Sequence, residues 1–180
     1  MHYDLCIWDP VRHEPLPSTH HEALEIMERL SAVPDYAHAP LVDLGAAMVA
    51  QYNAMPNARL AGRSLTEYWG SDPTVSVKAC TTAVYRIALP EEEPTLQIAQ
   101  IVHLATTLGL LVFDDENGMC FLPNGGILPE DSREMWEFDL QELADEAAGR
   151  TNDVPDSRTW WQLAAGELFD AIGRGNKRIS

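Results

Sequence analysis

The stretch from Ile98 to Leu122 leaves the chain few choices of fold. Ile98, Ile101, Val102, Ala105 and Leu108 recur at helical spacing, and Gly109 follows as a natural C-terminal cap. Glu91, Glu92 and Glu93 ahead of Pro94 suit the start of that helix, where the dipole favours negative charge and a proline fits the first turn. Leu110 to Phe113 comes next as a short apolar strand. Asn117-Gly118 then favours a tight turn with positive φ, and Met119 to Leu122 returns antiparallel. With connections this short, the helix must pack on the face of the sheet that its own strands build.

The flanking sequence extends the same pattern. Tyr3 to Trp8 is apolar on both faces apart from Asp4, as expected of an inner strand covered on two sides, and Asp9-Pro10 ends it. Thr19 and Glu22 have the spacing of a capping box before a helix carrying Ala23, Leu24, Met27 and Leu30. Pro40 opens a second helix, with Leu41, Leu44, Met48, Tyr52 and Met55 as its stripe. From Pro56 to Pro73 the pattern breaks into a connection anchored by Leu65, Tyr68 and Trp69. Val75 to Leu89 alternates, which predicts a half-buried strand, or two strands with a bend near Thr81-Thr82. After Pro123, Ser132 caps a helix whose inner face is Met135, Trp136, Leu140, Leu143 and Ala147. A polar loop over Arg150–Ser157 leads to a last helix with Trp160, Trp161, Ala164, Leu168 and Ile172. The expected fold is α+β: a small mixed, largely antiparallel sheet with packed helices. Residues 1–180 are expected to form one domain, with a mixed α/β body over 1–123 and a helical C-terminal extension over 124–180.

Charge narrows the function. The chain has 180 residues, a net charge of −16 and 46% hydrophobic residues, which is an ordinary globular proportion. Such a surface repels phosphate backbones and anionic membranes, so neither nucleic acid nor a membrane is an expected partner. No run is long enough to span a bilayer, and the N-terminus has no basic leader, so a cytoplasmic location is expected. Cys6, Cys80 and Cys120 are widely separated and form no C-x-x-C pair; each reads as a small hydrophobe inside a strand.

The acids are concentrated. Asp114 to Glu146 holds eleven acids against Arg133 alone, and so carries ten of the sixteen net negative charges in 33 residues. On the helix after Ser132, Glu134, Glu142 and Asp145 fall opposite the apolar stripe, while Glu137, Asp139 and Glu146 flank it. Phe138 falls on the polar side, either as a surface anchor or because the helix is packed on two sides. Three uses of this charge are open: a solvated face, a recognition surface for a basic partner, or a metal site at Asp114-Asp115-Glu116. The third lacks the glycine and twelve-residue spacing of a calcium loop. His2, His13, His20, His21, His38 and His103 make no zinc pattern, and no nucleophile elbow or phosphate-binding loop is present.

Tyr3-Asp4-Leu5-x-x-Trp8, Glu22-Ala23 at a helix start, and Leu108-Gly109-Leu110-x-x-Phe113-Asp114 form an ordered set of short motifs across residues 3–123. The set resembles small acidic bacterial immunity proteins encoded beside type VI secretion and Rhs-type polymorphic toxins. The family usually reads Asp-Pro-Gln after its last apolar strand, where this chain has Asp114-Asp115-Glu116. The resemblance implies a protein without catalysis or cofactor, whose partner is a cognate toxin with a basic cleft. The residues expected to meet that partner are Asp114, Asp115, Glu116, Glu130, Asp131, Glu134, Asp139, Glu142 and Trp160. The alternatives are a metal-dependent hydrolase that reverses a toxin's modification, acting through Asp114, Asp115 and Glu116, and an acidic adaptor domain.

Overall fold

Strand β1 (Tyr3–Trp8) runs through the middle of the sheet. It pairs antiparallel with β2 (Tyr85–Leu89) on one side and with β3 (Leu111–Asp114) on the other. From β3 the sheet continues to β4 (Met119–Phe121) and then β5 (Ile127–Leu128), giving the order β2-β1-β3-β4-β5. The structure is a computed structural model that describes residues 3–13, 15–56, 60, 62–90 and 94–151; the side chains of Pro94, Glu142 and 144–151 lie outside that description. Among the described residues the fold is α+β, with five strands and six helices. The sheet is wholly antiparallel instead of mixed.

Both faces of the sheet are buried, as the composition of β1 requires. Leu5, Cys6, Ile7 and Trp8 are all buried, and Asp4 alone faces water. Period-two alternation sends Cys6 and Trp8 to one face, level with Phe113 and Leu111 of β3. Helix α1 (His20–Ser31) covers that face, where Ala23, Ile26, Met27 and Leu30 pack with Cys6, Trp8, Leu111, Phe113, Cys120 and Leu122. The His20 ring stacks on Phe113 at 5.1 Å. The other face carries Leu5, Ile7, Ile87, Leu89, Val112 and Phe121, all buried, and α5 (Pro94–Thr107) contacts β1 and β3 there. Helix α2 (Ala39–Ala54) packs in turn against α5.

Local chemistry sets the boundaries. Thr19 caps α1 by accepting from the Glu22 amide, but the Glu22 carboxylate reaches back to the Ser18 amide and hydroxyl, one residue before the position a capping box would use. Helix α5 ends in a paired motif at Gly109 (φ +81°): the Leu110 amide donates to the Ala105 carbonyl and the Gly109 amide to that of Thr106. This turns the chain straight into β3, as the sequence pattern predicts.

The alternation over Val75–Leu89 resolves differently. Pro73–Lys78 is helix α4, not a strand, and only Tyr85–Leu89 pairs in the sheet. Asp72 decides it: its carboxylate accepts from the Thr74 and Val75 amides, and Pro73 takes the first turn, so two strong helix-start signals override three alternating residues. Val75 is consequently exposed while Val77 is buried. Cys80 follows this helix outside any strand and donates to the Thr82 carbonyl.

The connection before α4 contains a helix of its own, α3 (Leu65–Trp69), fixed by a capping box between Ser64 and Glu67. Its anchors Tyr68 and Trp69 are buried, with Tyr68 donating to Gln100 and Trp69 to the Met48 carbonyl. Gly70 (φ +76°) then lies on edge strand β2, where a Cβ would come within 2.0 Å of the Ala88 carbonyl oxygen. Thr82 Oγ1 covers the Val84 carbonyl at the other end, so parts of this sheet edge are occupied within the chain.

Two compact units are distinguishable, Met1–Glu130 and Asp131–Ser180. Strand β5, which no sequence pattern predicts, carries the first unit beyond the expected boundary at residue 123. The second unit begins with α6 (Ser132–Thr151), which runs past Gly149 into the expected Arg150–Ser157 loop. The expected final helix with Trp160 lies outside the described residues. Among the described residues no helix is long and apolar enough to cross a membrane.

Candidate functional site

Asp114 is not a surface residue. It ends β3 on the sheet face that carries Tyr3, and it is 0% exposed. Its carboxylate accepts from the Tyr3 hydroxyl, from the Asn117 amide at 3.1 Å and from Asn117 Nδ2 at 3.2 Å. Asn117 Nδ2 also approaches the Tyr3 oxygen at 2.5 Å. Burial pushes the Asp114 carboxyl above its ordinary range, while these hydrogen bonds pull it back. The same burial, with Asp114 beside it, pushes the Tyr3 phenol upward. The cluster ties the β3–β4 turn to β1, so Asp114 has no free oxygen surface for a partner.

This removes one acid from the expected contact set and breaks up the metal triad. Asp115 and Glu116 point to water from the turn whereas Asp114 points inward, and among the described residues no group of three His, Cys, Asp or Glu side chains is placed to hold a metal ion. In the first unit the expected contact residues that remain exposed are Asp115, Glu116 and Glu130.

In the second unit, α6 exposes Asp131 just before its first turn and Glu134 within it. Asp139 is partly covered, and burial raises its carboxyl pKa. Arg133, the one base of the acidic segment, lies 3.8 Å from Glu137 one turn on. The side chain of Glu142 and all of Trp160 lie outside the described residues. Trp136 and Leu140 are buried at 4% and 5% exposure, as the inner stripe requires. Met135 does not belong to that stripe: it is 49% exposed, and Phe138 is 61% exposed. At 100° per residue Met135 sits about 100° from Trp136, off the edge of the apolar face and beside Phe138.

A second group of titratable residues joins the loop after β1 to the connection between α1 and α2. Asp9 accepts from the Val11 and Arg12 amides through one oxygen and meets His38 Nε2 at 3.0 Å through the other. Arg12 grips Asp35 with two hydrogen bonds, of 2.9 and 2.8 Å. His13 Nε2 lies 2.8 Å from the same carboxylate without forming an aligned hydrogen bond. The Arg12 hydrogen bond holds the Asp35 carboxyl down at about 2. Each loop thus supplies one acid and one histidine to the other. Nothing in the sequence announces this crossing of pairs, because the four residues sit in two unpatterned loops and meet only once β1 and α1 are in place.

The cysteines supply no reactive thiol at the sheet. Cys6 and Cys120 are buried, and burial pushes their thiols up to about 11 and about 12.

Comparison with protein-family models, with curated proteins and with solved structures gave no match in any of the three.

Proposed function

We propose that this chain is an immunity protein that binds a cognate bacterial toxin and covers the toxin's basic cleft with acidic side chains. The observation that carries the reading is where the charge is kept. The segment holding ten of the sixteen net negative charges presents Asp115, Glu116 and Glu130 to water in the first unit and Asp131 and Glu134 in the second. Toxins that act on nucleic acids or nucleotides need cationic clefts to hold phosphate, and an acidic protein competes for those clefts. Opposite potentials also speed encounter, which favours a neutraliser that must intercept its target quickly. The motifs in Tyr3–Trp8 and Leu108–Asp114 that resemble the immunity family build β1 and β3, the strands at the centre of the sheet. The family resemblance therefore rests on scaffold, and the charge supplies the recognition.

Co-expression with the toxin encoded beside this gene tests the reading. The two chains are expected to co-purify, and the chain is expected to restore growth to cells making the toxin. Raising salt from 50 to 500 mM should slow association more than it speeds dissociation. A chain that neither binds nor protects is not an immunity protein.

A further inference from the structure

We propose that Met135 and Phe138 are the apolar anchor of a docking face on α6, and that the occupant is a protein offering a cationic rim around an apolar socket. The inference rests on the binding role proposed above and locates its energetic centre. Single exposed hydrophobic residues are common on soluble proteins and mean little alone. These two differ in three respects. They stand at i and i+3, so their side chains are neighbours on one side of the helix. That side is turned away from Trp136 and Leu140, the residues α6 buries. And the surround is acidic: exposed Glu134 is one turn before Phe138, partly covered Asp139 is one turn after Met135, and Asp131 is exposed just ahead of the helix.

The arrangement has the layout of a protein-binding hot spot, with an apolar centre that a partner can desolvate inside a polar rim that stays wet. The rim fixes the chemistry of the partner. Acids around an apolar centre repel another acidic protein, including a second copy of this chain with its charge of −16. They attract lysine and arginine. An aromatic ring in the centre also offers its face to arginine, adding cation–π attraction to apolar burial. Met beside it is unbranched and adapts to the shape of a socket. The exposed carboxylates would govern how fast the partner arrives; Phe138 and Met135 would govern how long it stays.

Hydroxyl-radical footprinting and affinity measurement with the neighbour-encoded toxin test this on the full chain. In the free protein Met135 and Phe138 should be readily oxidised at any concentration, and in the complex both should be protected. Met135→Ser with Phe138→Ser should weaken the complex about 30-fold, mainly through faster dissociation, a loss of hot-spot size. The double variant should keep the wild-type urea midpoint, which separates lost contact from lost folding. Wild-type affinity in that variant overturns the inference alone, leaving the immunity reading intact. Protection of Met135 in the free chain also overturns it, since the face is then covered by residues 152–180 or, if protection rises with concentration, by a second copy. Failure of the wild-type chain to bind overturns both.

Discussion

The sheet body and α6 handle the same two kinds of side chain in opposite ways. In the body, large apolar residues of the strands go inside, and the acid that ends β3 is drawn in after them and satisfied by Tyr3 and Asn117. On α6, Glu134 stays in water, and two large apolar side chains, Met135 and Phe138, stay there with it. A buried carboxylate with partners is a structural part, and its removal should be felt in stability. An exposed aromatic among acids contributes little to folding, and its removal should be felt elsewhere. The contrast separates the residues that make the fold from those available to a partner.

The largest effect is expected at the centre of the body. Phe113 is fully buried, stacks on His20 and packs 6.4 Å from Trp8 between the sheet and α1. Phe113→Ala should cost about 3–5 kcal/mol, read as a drop in urea midpoint with little change in slope. A cost under about 1 kcal/mol would mean that the α1 face of the sheet is not the packed core described. Next comes the acid lock. Tyr3→Phe keeps the ring and removes the donor, leaving Asp114 buried with one partner fewer, which should cost about 1–3 kcal/mol. Equal stability of the variant would show that the Asp114 cluster does not hold the turn to β1.

The two engaged aspartates give a pH test with opposite signs. Asp35 has a folded value of about 2 against an ordinary 3.8, so the stability it adds is present above 3.8 and disappears as pH falls toward 2. Asp114 is raised instead of lowered, so its contribution is best at low pH and declines as pH rises from 3.8 through its folded value. Urea midpoints from pH 2.5 to 7 should therefore show the wild type losing its advantage over Asp35→Asn on the acid side. Against Asp114→Asn it should lose ground on the way up. Parallel curves for both variants would remove the distinction between a solvent-edge clasp and a buried lock.

Much of this was legible in the sequence, and the failures have physical causes. Inner strand β1, the capped α1, the α5 stop at Gly109 and the Asn117-Gly118 hairpin follow from period and turn chemistry, because each signal is local. Val75–Lys78 departs from the expected strand because alternation over so few residues carries less weight than an Asp72 cap followed by Pro73. Strand β5 is two residues long and has no period to detect. The inward turn of Asp114 depends on which face of β3 meets Tyr3, and that register is set by pairing across more than a hundred residues of chain. Met135 has the chemistry of the inner stripe, but its helical angle puts it at the margin, beside Phe138 on the polar side.

The smallest expected effect is the sharpest test of the comparison. Phe138→Ser exchanges a large, exposed apolar side chain for a small polar one. Ordinary surface substitutions change stability by less than about 0.5 kcal/mol. Both terms are small here: serine is close to phenylalanine as a helix former, and the lost ring had little area removed from water to forfeit. Stability read from urea unfolding should thus change by no more than that amount in either direction. If it falls by 2 kcal/mol or more, Phe138 is part of a packed core after all, and α6 segregates its side chains by the same rule as the sheet.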